Sequence, residues 1–289
     1  MRRLIWLAAL GLACNGDKGE TGDTGGDADA DADTDGDTDT VTGDCGAYED
    51  SDLCTAWVMS SGTSPLVDAG SATDVTGLSV VSDGGVEFMQ VSTEGLPSYD
   101  VTLTQADIDD LDARPNASTD FVSGQTTATA GTTYQWGADI GFYSFSAGDQ
   151  CGEGAGYGWW PPGPECPSAQ GKSLQIPVSP VEASGGDVCE TGAGAGGYWV
   201  NGVSIYNWGD TFAYDSDGVW LNVAPAQEVY DLGVCGGHAA GGDYHHHSYS
   251  QCLADVVGDA GSGHSPIYGF AADGYPIHGP WYAGGTEAQ

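Results

Sequence analysis

The stretch from Leu78 to Val91, LSVVSDGGVEFMQV, decides how the rest of the chain is read. Through Val86-Glu87-Phe88-Met89-Gln90-Val91, apolar and polar residues take turns, which is the two-residue period of a strand with one face on a core. Leu78-Ser79-Val80-Val81 is a second short run of this kind, and Asp83-Gly84-Gly85 between the two is turn chemistry. The same rhythm continues outward. Thr132-Thr133-Tyr134-Gln135-Trp136 is another such run, and Asp217-Gly218 and Asp273-Gly274 are further turns. Gly, Thr, Ser, Val, Tyr and Trp are abundant and helix formers are scarce. The pattern predicts an all-β fold, a β-sandwich or barrel-like domain with long Gly-rich, disulfide-pinned loops. Only Thr104 to Ala113, TQADIDDLDA, reads as a helix, with Thr104 as its N-cap.

The charge balance narrows the partners. Forty-two Asp and Glu stand against five Lys and Arg, a formal net charge of -37. Such a surface repels nucleic acid and anionic headgroups and attracts cations. The N-terminus reads as an export signal over residues 1–13: Met1-Arg2-Arg3 is basic, and Leu4 to Ala13 is apolar but too short to span a bilayer. Gly11-Leu12-Ala13-Cys14 resembles a bacterial lipoprotein signal, with Gly11 where Leu is usual. Cys14 is then the lipid attachment point, which predicts an extracytoplasmic chain, anchored to the outer membrane or cell surface or secreted. Residues 14–44 are an Asp-rich tether without apolar periodicity, expected to stay disordered. Asp31, Asp33, Asp35 and Gly36 imitate the start of a calcium loop, but Thr42 stands where the bidentate Glu belongs. Residues 45–289 form the β-rich domain.

Outside the cytoplasm disulfides persist. Close spacing pairs Cys45 with Cys54, Cys151 with Cys166, and Cys235 with Cys252, and leaves Cys189 without a partner. Long Gly-rich loops such as Cys151 to Pro167 gain most from such ties.

All six histidines lie beyond residue 237, three of them in Gly242-Asp243-Tyr244-His245-His246-His247. If Tyr244 to His247 is a strand, His245 and His247 share one face, their Cβ atoms roughly 6.5–7 Å apart, and Tyr244 and His246 share the other. His238, on the preceding Gly-rich loop, can swing in beside His245 and His247. A Cys235–Cys252 bond would hold loop and strand together, with His264 as a fourth ligand or a partner of the ligands. Neutral imidazoles without paired thiolates suit copper, zinc, nickel or iron. Tyr244 or Tyr249 nearby favours copper over zinc.

Read with their neighbours, these residues resemble a known family. Asp231-Leu232-Gly233-Val234-Cys235-Gly236-Gly237-His238 precedes Tyr244-His245-His246-His247. His264-Ser265-Pro266 and Gly269-Phe270-Ala271-Ala272-Asp273-Gly274-Tyr275-Pro276-Ile277-His278-Gly279-Pro280 follow. Upstream stand Gly95-Leu96-Pro97-Ser98-Tyr99, Trp159-Trp160-Pro161-Pro162, Ile176-Pro177-Val178 and Asn201-Gly202-Val203-Ser204-Ile205-Tyr206. The set is similar to the YHYH domain family of secreted bacterial proteins, from about Val75 to Trp281. His246 and His278 replace tyrosines of the family pattern, so each adds a possible ligand. Family members commonly continue past this point into a second Cys- and His-containing stretch, which predicts a partner for Cys189 in a C-terminal part lacking here. The family has no settled activity, and no enzymatic role is assigned.

Two other readings compete. His264, Ser265 and Asp273 superficially form a Ser/His/Asp set, but no Gly-x-Ser-x-Gly pattern surrounds Ser265, Pro266 follows it, and Asp273-Gly274 reads as a tight turn. The loop Tyr157-Gly158-Trp159-Trp160-Pro161-Pro162 offers a rigid aromatic platform for a glycan, peptide or protein partner. That would make the chain a non-enzymatic adhesion or glycan-binding module with structural histidines.

Overall fold

The computed structural model describes residues 44–113, 121–123, 126–138, 140, 143–144, 166–182, 194–213, 221–229 and 232–287. The expected export signal, the expected attachment residue Cys14, residues 15–43 of the expected tether, Cys151, Cys189 and the Trp159-Trp160 loop therefore lie outside the described residues.

Leu78 to Val91 lies in a hairpin. Strands β1 (Val75–Asp83) and β2 (Val86–Thr93) pair antiparallel through the Gly84-Gly85 turn, and β3 (Lys172–Pro177) adds to the other edge of β2. Met89, Val91, Leu174 and Ile176 are buried, as the alternation requires.

A six-stranded mixed sheet carries the C-terminal half. It contains β4 (Ala195–Trp199), β5 (Ser204–Tyr206), β6 (Gly237–Ala240), β7 (Asp243–His246), β8 (Ile267–Ala271) and β9 (Pro276–His278). In space the order is β6-β7-β5-β4-β8-β9, antiparallel throughout except for the parallel pair β7–β5. Its central strands are covered on both faces. On one side Phe270, with Tyr198 and Ile267, packs into the core made by Val75, Leu78, Met89, Val91, Leu174 and Ile176 of the three-stranded sheet and by Trp57. On the other, Trp199, Tyr244 and Tyr268 pack with Leu96, Tyr99, Val101, Trp136 and Leu253. The architecture is all-β, built as sheet against sheet.

Helices are short but more numerous than the sequence predicts. Gln105–Asp112 is the expected one: the Thr104 hydroxyl accepts from the Asp107 amide while the Asp107 carboxylate accepts from the Thr104 amide, a reciprocal cap. Asp52–Thr55, Ala224–Gln227 and Gln251–Val257 were not legible as helices. Each is only one or two turns long, and the last starts at Ser250 without a side-chain cap, so its stability comes from burying Cys252 and Leu253.

The pairs Cys45–Cys54 and Cys235–Cys252 form disulfides. The second ties the loop before β6 to the helix Gln251–Val257 rather than to the histidine strand. Cys166 is also disulfide-bonded, and its expected partner Cys151 is outside the described residues.

Candidate metal centre

The site is assembled by one hairpin. Strands β6 and β7 are joined by Gly241-Gly242, both at positive φ (61° and 78°), the conformation a two-residue turn between twisted strands demands. The register sets His238 directly opposite His245 and Gly237 opposite His246. His238 is thus a strand residue, not the loop residue that the sequence predicts. Cross-strand pairing brings its ring centroid to 4.6 Å from that of His245, with no swing of a loop.

The alternation along Tyr244–His247 holds. His245 and His247 share one face, where their Nε2 atoms are 3.1 Å apart. One ligand nitrogen from each of His238, His245 and His247 lies within 4.8 Å of the other two. The opposite sides of two of the rings are pinned: His245 Nδ1 is 2.9 Å from the Asp243 carbonyl, and His247 Nδ1 is 2.5 Å from the Asn207 carbonyl. A carbonyl only accepts, so both Nδ1 atoms carry the proton and both Nε2 atoms present lone pairs to each other. Two acceptors in contact repel unless a cation lies between them. Pinning of the far nitrogen by a backbone carbonyl is how proteins orient imidazole ligands.

Surrounding groups fix the rings further. Tyr206 stacks on His245 with centroids 3.8 Å apart, and its hydroxyl donates to the Asp243 carboxylate at 3.1 Å. Burial, then the Asp243 charge, pushes the Tyr206 hydroxyl up to about 12. Asp243 also accepts from Lys172, one of the five basic residues, in a close ion pair, and from Ser204. The β7 strand that carries His245 and leads into His247 is therefore clamped at its start to β3 and β5.

The electrostatics keep the imidazoles neutral. Burial, reinforced by His238 and His247, pushes His245 down to about 2. Burial likewise lowers His247 to about 4, opposed by the Asn207 carbonyl and the Asp210 charge. Neutral imidazole is the ligating form.

Sequence reasoning missed Glu228. Its Oε2 lies 3.3 Å from His238 Nε2 and 3.2 Å from His247 Nε2, reached from the end of the helix Ala224–Gln227. Nothing in the sequence marks it among 42 acidic residues.

The other expected participants are elsewhere. His246 is fully buried on the opposite face of β7, stacked near Tyr99, tilted against Trp199 and edge-on to Tyr244. Burial lowers it to about 3. Gly237 makes room for it, since a Cβ there would fall 2.2 Å from His246 Cδ2. His264 and His278 form their own exposed pair, centroids 4.8 Å apart, both Nδ1 atoms on the Ser265 carbonyl. Tyr244 lies in the core and Tyr249 packs against Tyr268, so neither supplies the tyrosine expected to favour copper; the tyrosine beside the triad is Tyr206, stacked on His245 with its hydroxyl on Asp243.

The hydrolytic set dissolves as the sequence argued. The Ser265 hydroxyl is buried, donates to Asp259 at 2.6 Å and accepts from the Trp281 amide. Asp273 caps a turn at the Tyr275 amide, with Gly274 at φ 95°.

A β-rich domain that converges three histidines from one hairpin on a point defines the class. Residues 173–289 match the family model described as YHYH protein, while residues 1–172 lie outside the match. The match contains the whole six-stranded sheet and all four groups of the centre. No curated protein and no solved structure matches the chain.

Proposed function

We propose that this protein is an exported, lipid-anchored surface domain that binds a first-row transition-metal ion through His238, His245 and His247, with copper the first metal to test. The observation that carries the reading is the convergence of the three imidazoles, two of them with their Nδ1 protons pinned to backbone carbonyls so that bare Nε2 atoms meet at 3.1 Å. Neutral nitrogen donors without thiolates suit copper(II), zinc(II) and nickel(II). Export and anchoring are supported by the apolar run ending at Cys14, the Asp-rich stretch behind it, and the disulfides Cys45–Cys54 and Cys235–Cys252.

Metal analysis of untagged protein, with thermal melting in copper or zinc, tests the reading. One equivalent of bound ion and a raised Tm are expected, and both should vanish in His245→Ala. An ion-free protein whose Tm ignores both metals would leave the glycan- or protein-binding module as the reading, to be tested by glycan binding of a Trp159→Ala/Trp160→Ala variant.

A further inference from the structure

We infer that Glu228 is the fourth, anionic ligand of this centre and that it restricts the site to divalent ions; the inference rests on the metal reading above. The distances carry it. With metal–ligand bonds of about 2.0–2.1 Å, two ligand atoms lie about 2.9 Å apart at a right angle and about 3.3 Å apart at the tetrahedral angle. Glu228 Oε2 stands 3.3 Å from His238 Nε2 and 3.2 Å from His247 Nε2, and His247 Nε2 stands 3.1 Å from His245 Nε2. Three of the six donor–donor distances are thus those of a single four-coordinate ion, the three histidine nitrogens all lie within 4.8 Å of one another, and the donors come from three separate pieces of chain.

The placement of Glu228 is fixed by its backbone. Its amide donates to the Ala224 carbonyl at 2.9 Å, closing the helix Ala224–Gln227, and its side chain is only 19% exposed. Turned inward there, the carboxylate meets imidazoles rather than water.

Charge and softness then choose the ion. Three neutral imidazoles leave the full double charge of a divalent ion in a mostly buried site, and one carboxylate halves it. Copper(I) is soft and prefers thiolate or thioether, whereas a carboxylate oxygen is a hard donor. The His₃–carboxylate set fits zinc(II), copper(II) or cobalt(II).

The test compares full-length protein with Glu228→Gln, which keeps shape and removes charge. Zinc(II) affinity is measured by competition with a chelating dye, and cobalt(II) is used as a spectroscopic probe, because four-coordinate cobalt(II) absorbs far more strongly in the visible than five- or six-coordinate forms. Wild type is expected to bind one equivalent with the strong four-coordinate bands. Glu228→Gln should bind zinc(II) about 100-fold more weakly, the upper end of what removing a group that only supports the ligands costs, and its cobalt bands should weaken. Glu228→Asp, which keeps charge but shortens reach, should fall between them, and it serves if the Gln variant does not fold. Undiminished zinc affinity and unchanged cobalt spectra in both variants, with binding lost in His245→Ala, would overturn the role of Glu228 and leave the triad standing. Wild type that binds neither ion would overturn the metal reading itself.

Discussion

The two faces of the four-residue run Tyr244–His247 are built from similar side chains and put to opposite uses. On one face Tyr244 and His246 are sealed among Tyr99, Trp136 and Trp199, with Gly237 as the gap that admits them. On the other, His245 and His247 aim ring nitrogens at each other, at His238 and at Glu228. The difference teaches that a histidine's role here is set by its strand parity and by what lies across the ladder, not by the residue type. A buried ring surrounded by aromatics stabilises the fold. A buried ring whose far nitrogen is held by a carbonyl is a ligand in waiting.

The comparison breaks most visibly on the core face. Tyr244→Ala should lower stability by about 3–5 kcal/mol, the cost of truncating a large buried aromatic, and chemical denaturation of metal-free protein checks it. If stability barely changes, the two faces are not distinct in the way argued.

Opening the Cys235–Cys252 bond, by Cys235→Ser with Cys252→Ser, should cost about 3 kcal/mol, given that it closes a loop of sequence separation 17. The metal-dependent rise in Tm should survive the change, because the hairpin register and not the disulfide places His238. Loss of metal response with retained folding would shift credit from the hairpin to the disulfide.

On the ligand face the expected effect is smaller in stability and specific to metal. At an ion concentration 100 times the dissociation constant, binding stabilises by about 2.7 kcal/mol. His245→Ala should lose that increment, while His264→Ala with His278→Ala should keep it. A loss in the second variant would bring that exposed pair into the centre.

The last effect shows only in acid. His246 is held neutral, down to about 3, by burial, while the unfolded residue titrates near its ordinary value of 6.5. The unfolded chain therefore binds the extra proton first. The stability contribution is fully present above pH 6.5 and is lost as pH falls from there towards 3. Asp74, raised by burial to about 6, opposes this between its ordinary 3.8 and 6, so the variant difference is the cleaner readout. His246→Phe should make the acid limb of the metal-free Tm profile less steep, with the share of His245 and His247 remaining, and leave metal binding unchanged. An equally steep limb would place the acid sensitivity on other groups.

Much of the fold was legible. The alternation in Val86–Val91 and the turn before it gave a hairpin in the right place, and the cysteine spacing gave two disulfides. Thr104 announced its helix because a cap is a local signal. Gln251–Val257 escaped because a seven-residue helix without a side-chain cap owes its existence to packing. His238 was legible as a candidate but not as a strand residue, since Gly236-Gly237 reads as loop. Glu228 carried no signal at all: it is ten residues from His238 and one acidic side chain among many.

The order of residues by itself determined which side chains share a face, because a strand's period of two is a property of its backbone and needs no partner. It thereby put His245 with His247 and set His246 apart. Only the tertiary structure decided which groups meet across elements. A register one residue away would have placed Ala239, not His238, opposite His245, and a differently seated helix end would have left Glu228 in water. Those choices come from long-range packing and hydrogen bonding, whose energies depend on the whole sheet rather than on any local stretch.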